Sequence, residues 1–121
     1  MSDERFLFPC SHGAAEPERA TVPFIAGSVA AISGKRATVV CTSEAVRIGT
    51  PGYAETIEEE GMPPLVDLVR QLLDAGGELW LCSACTTKRG ITGDDVIDGA
   101  QIVGAARIVE ALAEGRAISL A

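Results

Sequence analysis

Short apolar runs without in-and-out alternation occupy residues 6–10, 37–41, 78–82 and 117–120, and segments with helical hydrophobic spacing separate them. Runs of this kind are how strands buried in a parallel sheet read. After the first run, residues 19–33 predict a helix ending at Gly34. Pro23 fits a helix only in its first turn, which puts the expected start near Thr21. Residues 63–75 place Leu65, Leu68, Val69, Leu72 and Leu73 on one face and stop at Gly76-Gly77, a helix closed by glycine. After the third run, Thr92-Gly93-Asp94-Asp95 supplies a threonine cap with acids for the positive end of the dipole. That start predicts a third helix running to about Glu114, ended by Gly115. Residues 44–61, with Gly49, Pro51 and Gly52, predict a short helix or a small extra strand.

Strands alternating with helices imply right-handed crossovers and a short, mostly parallel sheet covered on both faces, a three-layer α/β domain over residues 1–121. No repeat, low-complexity tract or second domain interrupts the pattern. In such sheets chemistry gathers beyond the carboxyl ends of the strands. Cys10, Cys41 and Cys82 all fall at those ends. If the first and third strands are neighbours, Cys10 and His12 lie near Cys82.

Composition narrows the class. Hydrophobic residues make up 47% of the chain, which excludes a disordered one. The apolar stretches break well short of the ~18 residues a membrane-spanning helix needs. Met1-Ser2-Asp3-Glu4-Arg5 is polar and acidic rather than a signal peptide, so a cytoplasmic location is expected. The net charge of −7, with Glu55, Glu58, Glu59 and Glu60 clustered, argues against nucleic acid as a partner. The cluster itself reads as a solvated face. In a reducing compartment the four cysteines are thiols, and Cys41 reads as a small core side chain.

The candidate chemistry lies in Leu79-Trp80-Leu81-Cys82-Ser83-Ala84-Cys85-Thr86-Thr87-Lys88-Arg89-Gly90. Here a buried strand runs into Cys-x-x-Cys, two cations and a glycine. Thiols in such a place, with cations and amide dipoles close by, ionise near neutral pH. Four readings are open. Cys82 and Cys85 with Cys10 and His12 would make four zinc ligands, although no second Cys-x-x-Cys or His pair supports that site, so no bound metal is expected. A thioredoxin-like dithiol is the second, but the tryptophan and cis-proline expected of that fold are missing. The third is one activated thiolate that carries sulfur, with Lys88 and Arg89 favouring the anion. The fourth is two small residues closing a strand beside solvated cations. His12 is either a loop residue bonded to backbone or a base near Cys82. Glu18 and Arg19 read as helix-start charges, and Arg89 alternatively as a turn cap or the partner of an Asp.

The chain resembles the DsrE/DsrF-like family of small sulfur-trafficking proteins over nearly its whole length. The resemblance rests on Glu16-Pro17-Glu18-Arg19-Ala20, the loop from Gly49 to Ala54, the Leu79 to Cys85 stretch, Lys88-Arg89-Gly90-Ile91, Asp98-Gly99-Ala100 and Ile102-Val103-Gly104-Ala105. The cysteine-to-Arg-Gly spacing is the most specific of these. The resemblance implies a flavodoxin-like fold, oligomers, and a persulfide cysteine at the position of Cys82, seven residues before Arg89. The expected function is therefore a cytoplasmic sulfur carrier or sulfurtransferase-like protein. Cys82 accepts sulfur, Cys85 resolves or shares it, Lys88 and Arg89 steady the anion, and His12 and Cys10 support. Sulfur-donor or sulfur-acceptor proteins are the expected partners, and neither nucleic acid nor membrane is one. A homo-oligomer would cover an apolar helix face at Ile102, Ala106 and Val109. No organic cofactor is implied, because no glycine-rich phosphate fingerprint follows the first strand. The alternatives are a thiol-redox protein cycling a Cys82–Cys85 disulfide, and a non-catalytic module that binds a small ligand.

Overall fold

A computed structural model describes residues 4–120. Five strands form one parallel sheet: β1 (Arg5–Cys10), β2 (Arg36–Cys41), β3 (Glu78–Cys82), β4 (Ala100–Val103) and β5 (Gly115–Ala117), in the order β4-β3-β2-β1-β5. Helices α1 (Pro17–Ile32) and α2 (Leu65–Asp74) cover one face. There Phe8, Val39, Leu79 and Leu81 pack with Phe24, Leu68 and Leu72 in the main core. Helix α4 (Ala105–Glu114) covers the other face with a smaller cluster of Leu7, Val40, Trp80 and Ala111. The α/β, flavodoxin-like three-layer arrangement expected from the sequence is the one observed.

Side-chain alternation explains which residue goes where. The register pairs Leu7 with Thr38, Cys10 with Cys41, and Cys41 with Leu81. Cys10, Cys41 and Leu81 therefore share the α1/α2 face, and Cys82, one residue further, turns to the opposite face with Trp80. On that face Arg5 is fully buried, bonds Thr38 Oγ1 at 2.8 Å and Glu78 Oε1 at 3.2 Å, and stacks on Trp80. Arg107 of α4 lies over the same ring, 4.7 Å from its centroid, which ties α4 to the sheet. Pro9 is tolerated in an interior strand because β5 pairs β1 only as far as Leu7. The N–H that proline lacks would have pointed past the end of β5.

Several sequence expectations are corrected. α1 begins at Pro17, in the first turn where proline is pre-organised, and Pro23 sits inside the helix and buried. Tertiary packing of the α1 face outweighs the backbone bond Pro23 cannot make. Residues 92–114 are not one helix. Thr92 and Asp95 do form a reciprocal cap, but over a single 3₁₀ turn, Gly93–Asp95. Gly99 then takes φ 93°, and Ala100–Val103 pairs with β3 as an edge strand, so α4 starts only at Ala105. The last strand lies at Gly115–Ala117, ahead of the expected 117–120, where β1 offers Arg5 to Leu7 as partners. The 44–61 segment holds two 3₁₀ turns, Ser43–Gly49 and Ala54–Thr56, and no strand. Finally, β2 separates β1 from β3, so the adjacency that would have brought Cys10 and His12 to Cys82 does not occur.

Among the described residues no helix is long and apolar enough to cross a membrane. Ala106 and Val109 are exposed on α4, as are Leu112, Ile118 and Leu120 nearby in sequence, while Ile102 is half-buried. Glu55, Glu58 and Glu60 of the acidic cluster are exposed, in keeping with a solvated face.

Candidate functional site

Beyond the carboxyl end of β3 the chain turns at once into a short helix, α3 (Ser83–Lys88), where the sequence had suggested a loop. Cys82 is both the last residue of β3 and the N-cap of α3, with extended backbone at φ −62° and ψ 124°. Ser, Thr, Asp and Asn usually fill that position, because their side chains accept from the free amides of the first turn. Here a sulfur stands in their place. Burial pushes the Cys82 thiol up, but the nearby Cys85 amide, Cys85 thiol and Ala84 amide favour the anion and hold it below the ordinary thiol value, with no capping hydrogen bond to the sulfur formed. The side chain is half-exposed. It is thus a reachable sulfur with a bias toward thiolate, which is the nucleophilic form.

Cys85 is one turn further on and half-exposed, and its Sγ accepts the Ser43 main-chain N–H at 3.1 Å. Ser43 follows β2 and is the one non-glycine residue with positive φ among those described, at 52°. Its neighbour Glu44 accepts Arg89 Nε at 2.9 Å and Arg47 Nε at 2.8 Å. The Arg89 hydrogen bond, then the two cationic neighbours against slight burial, hold the Glu44 carboxyl below the usual range. Arg89 Nη1 also donates to the Cys85 carbonyl at 3.2 Å, which caps the end of α3. Ser43 and Glu44 therefore grip α3 from the β2 side, one through a sulfur and one through a guanidinium.

The supporting residues divide differently from the sequence expectation. Arg89 directs its hydrogen bonds at Glu44 and the Cys85 carbonyl, so it clamps α3 rather than facing the Cys82 sulfur. Lys88 is exposed and makes no ion pair among the described residues. Cys10 is buried on the α1/α2 face, where its Sγ donates to the Ala20 and His12 carbonyls, and Cys41 beside it is fully buried. Burial, and then the Cys10 neighbour, push the Cys41 thiol well up. His12 is half-buried, with Nδ1 3.3 Å from Ser11 Oγ. In its loop Gly13 packs against Glu44 and the Tyr53 hydroxyl with no room for a side chain. The four zinc ligands weighed from the sequence are accordingly not assembled. Among the described residues no three of His, Cys, Asp and Glu come together to hold a metal.

Sequence reasoning missed Ser43 and Glu44. Glu44 stands just past a strand's carboxyl end and was within reach of that rule. Ser43 acts through its amide, which carries no residue-type signal. A separate cavity of about 350 Å³ lies between α2 and the 3₁₀ turns, lined by Ile48, Val66, Val69 and Leu73 with Glu55, Arg70, Asp74 and Asp98 among its polar positions. None of the cysteines lines it.

Three comparisons bear on this arrangement. The chain is 26% identical over 103 residues to the uncharacterized protein MJ0760 of Methanocaldococcus jannaschii. The match takes in 85% of this chain but only 37% of that protein. Among solved structures, the YchN protein from E. coli superposes with a TM-score of 0.78 at 17% identity, covering 97% of this chain and 99% of that one. The protein of unknown function MTH1491 from Methanobacterium thermoautotrophicum gives a TM-score of 0.71 at 21% identity, with the same 97% and 99% coverage. At such identities the structures speak for the fold. The sequence model of the DsrE/DsrF-like family matches residues 4–119, and the chain belongs to that family.

Proposed function

We propose that this chain carries sulfur as a persulfide on Cys82, as a sulfur carrier or sulfurtransferase-like protein exchanging it with donor and acceptor proteins in the cytoplasm. The observation behind this reading is the Cys82 sulfur at the N-cap of α3, half-exposed beside the first-turn amides, which favour its anion and draw the thiol below its ordinary value. A thiolate attacks the sulfane sulfur of a donor persulfide, and the donor's thiolate leaves. The persulfide formed on Cys82 is itself an anion near neutral pH and would meet the same amide donors. Membership of the DsrE/DsrF-like family supports a role in sulfur chemistry.

The test is loading with a small-molecule persulfide donor, read by peptide mass spectrometry. A one-sulfur mass gain at Cys82 that survives in Cys85→Ser and disappears in Cys82→Ser supports the carrier. A gain that follows Cys85 instead would invert the roles, and one that persists in both variants would remove the site. A second reading has its own observation: Cys82 caps α3 and Cys85 stands one helical turn further on, both half-exposed thiols at the spacing a cycling dithiol uses. Loss of two hydrogens without any sulfur adduct would favour that redox role. We further propose a homo-oligomer that covers Ala106, Val109 and Leu112, all exposed. A clean monomer in sedimentation at micromolar concentration would refute it.

A further inference from the structure

The cavity between α2 and the 3₁₀ turns has no part in the thiol site, and its lining sorts by depth. Ile48 and Val69 are buried members of the main core, and Val66 and Leu73 are half-buried against it. Glu55, Arg70, Asp74 and Asp98 are exposed at the margin. A volume of about 350 Å³ falls at the small end of the range that ligand sites occupy, and a cavity of about 150 Å³ already holds a benzene ring.

The walls are held in place by the chain around them. The Leu65 N–H at the start of α2 donates to the Ile57 carbonyl at 3.1 Å, and the Ile97 N–H donates to the Gly49 carbonyl at 2.8 Å. Gly49 sits so close to the sheet that a Cβ there would stand 2.5 Å from Leu81 Cδ1. On the other side Leu73 of α2 packs on Gly99, whose φ of 93° keeps the position free of a side chain. The turns and the loop before β4 are thus anchored around the space, which makes it a pre-formed one.

The polar side chains of the lining, Arg70 apart, offer acceptors. The carboxylates of Glu55, Asp74 and Asp98 make no hydrogen bond or ion pair among the described residues. Thr50, also in the lining, spends its proton on the Arg47 carbonyl at 2.6 Å. Arg70 is the single donor, and its Nη1 lies 4.0 Å from Asp67, one turn back along α2. The last turn of α2 carries no basic residue, so the negative end of its dipole adds to the same field. We propose that this cavity binds a small amphipathic ammonium ion, with its apolar body against Ile48, Val66, Val69 and Leu73 and its N–H groups among the three carboxylates. An ammonium carries three donors and no acceptor, which is what a margin of unpaired acceptors selects. The proposal is independent of the carrier reading, since no cysteine lines the cavity.

The experiment titrates the whole protein with three probes that share one apolar body: phenethylammonium, phenethyl alcohol and phenylpropionate. Binding is followed residue by residue in amide NMR spectra at low salt. Phenethylammonium is expected to give saturable shifts centred on Ile48, Thr50, Val66, Leu73 and Asp98, with a Kd of about 1 mM, as suits so small a ligand. Phenylpropionate should bind at least about tenfold more weakly, with the alcohol between them. Val66→Phe fills the space from α2 and should abolish the shifts with the Tm retained. Glu55→Gln combined with Asp98→Asn, both at exposed positions, keeps the space and should bring the ammonium down to the affinity of the alcohol. Should Val66→Phe fail to fold, this double variant decides alone. No saturable shift by about 10 mM would overturn the proposal. Equal affinity for the carboxylate, or an ammonium advantage that survives the double variant, would do the same. Sedimentation of folded Val66→Phe closes the test: an oligomer dissociated by the variant would mean that a second copy fills the cavity, and the proposal would fall.

Discussion

Cutting the Glu44–Arg89 clamp should loosen α3 from the β2 side by an amount the structure allows to be bounded. The perturbation is Arg89→Met, which keeps most of the aliphatic stem and removes the guanidinium. Two interactions are lost, the ion pair to Glu44 at 2.9 Å and the hydrogen bond to the Cys85 carbonyl at 3.2 Å. The Arg89 side chain is 15% exposed and Glu44 46%, so the pair is neither fully screened nor dry. A fully exposed pair contributes under about 1 kcal/mol, and a charge-assisted hydrogen bond about 1.5–3 kcal/mol. Half-screened, the two together should be worth about 1.5–2.5 kcal/mol, an estimate tempered because Arg47 still attends Glu44. In a chain of this length that is a fall in Tm of roughly 5–10 °C. The assay is urea denaturation of a double-mutant cycle with Glu44→Gln, in which the coupling between the two sites should come to about 1 kcal/mol. Arg89→Lys should recover little, since an ammonium lacks the fork that reaches both the carboxylate and the carbonyl. Additive single-variant costs, with no coupling, would refute the clamp and return Arg89 to the solvated role.

Gly27→Ala sets helix propensity against packing: alanine favours the helix by about 1 kcal/mol, but its Cβ would stand 2.7 Å from Val39 Cγ2 on a stiff, fully buried side chain. Overpacking costs about 1–3 kcal/mol, so a net loss is expected in thermal melts, and a gain in Tm would show that α1 can shift away from β2. The Cys41 thiol, pushed well up by burial, contributes stability that is present below the unfolded thiol value and lost as pH rises through the folded one. In a background carrying Cys10→Ala and Cys82→Ser, which removes the opposite slopes of those two drawn-down thiols, stability should decline above pH ~8.5 and the decline should flatten when Cys41→Ala is added. An unchanged alkaline slope would mean that Cys41 ionises no less readily in the folded chain than in the unfolded one.

The fold was legible where local signals and tertiary packing agree. β3 ends at Cys82 where the apolar run ends, and α2 buries Leu65, Leu68, Val69 and Leu72 much as their spacing implies. It was illegible where a genuine local signal governs less chain than it suggests. Thr92 and Asp95 form the cap their sequence announces, yet the apolar residues beyond serve an edge strand first and a helix only from Ala105. Strand order was hidden as well, since no residue in β1 or β3 records that β2 will come between them. The site followed the same division. Cys82 could be found because strand ends in parallel sheets collect chemistry. The residues that organise it come from the far side of the sheet sequence and act through an amide at Ser43 and a carboxylate at Glu44.

The alternation of side chains across the sheet has a consequence for thiol traffic. Cys10 and Cys41 lie in register on one face, sealed beneath α1 and α2, while Cys82 opens on the other. Sulfur or oxidising equivalents arriving at Cys82 have a half-exposed neighbour in Cys85, at the margin of the main core, but meet the buried Cys10–Cys41 pair only if that core opens. The chain can thus hold four thiols within one small fold without letting them shuffle, and the quarantined pair becomes reactive only when the core itself has opened.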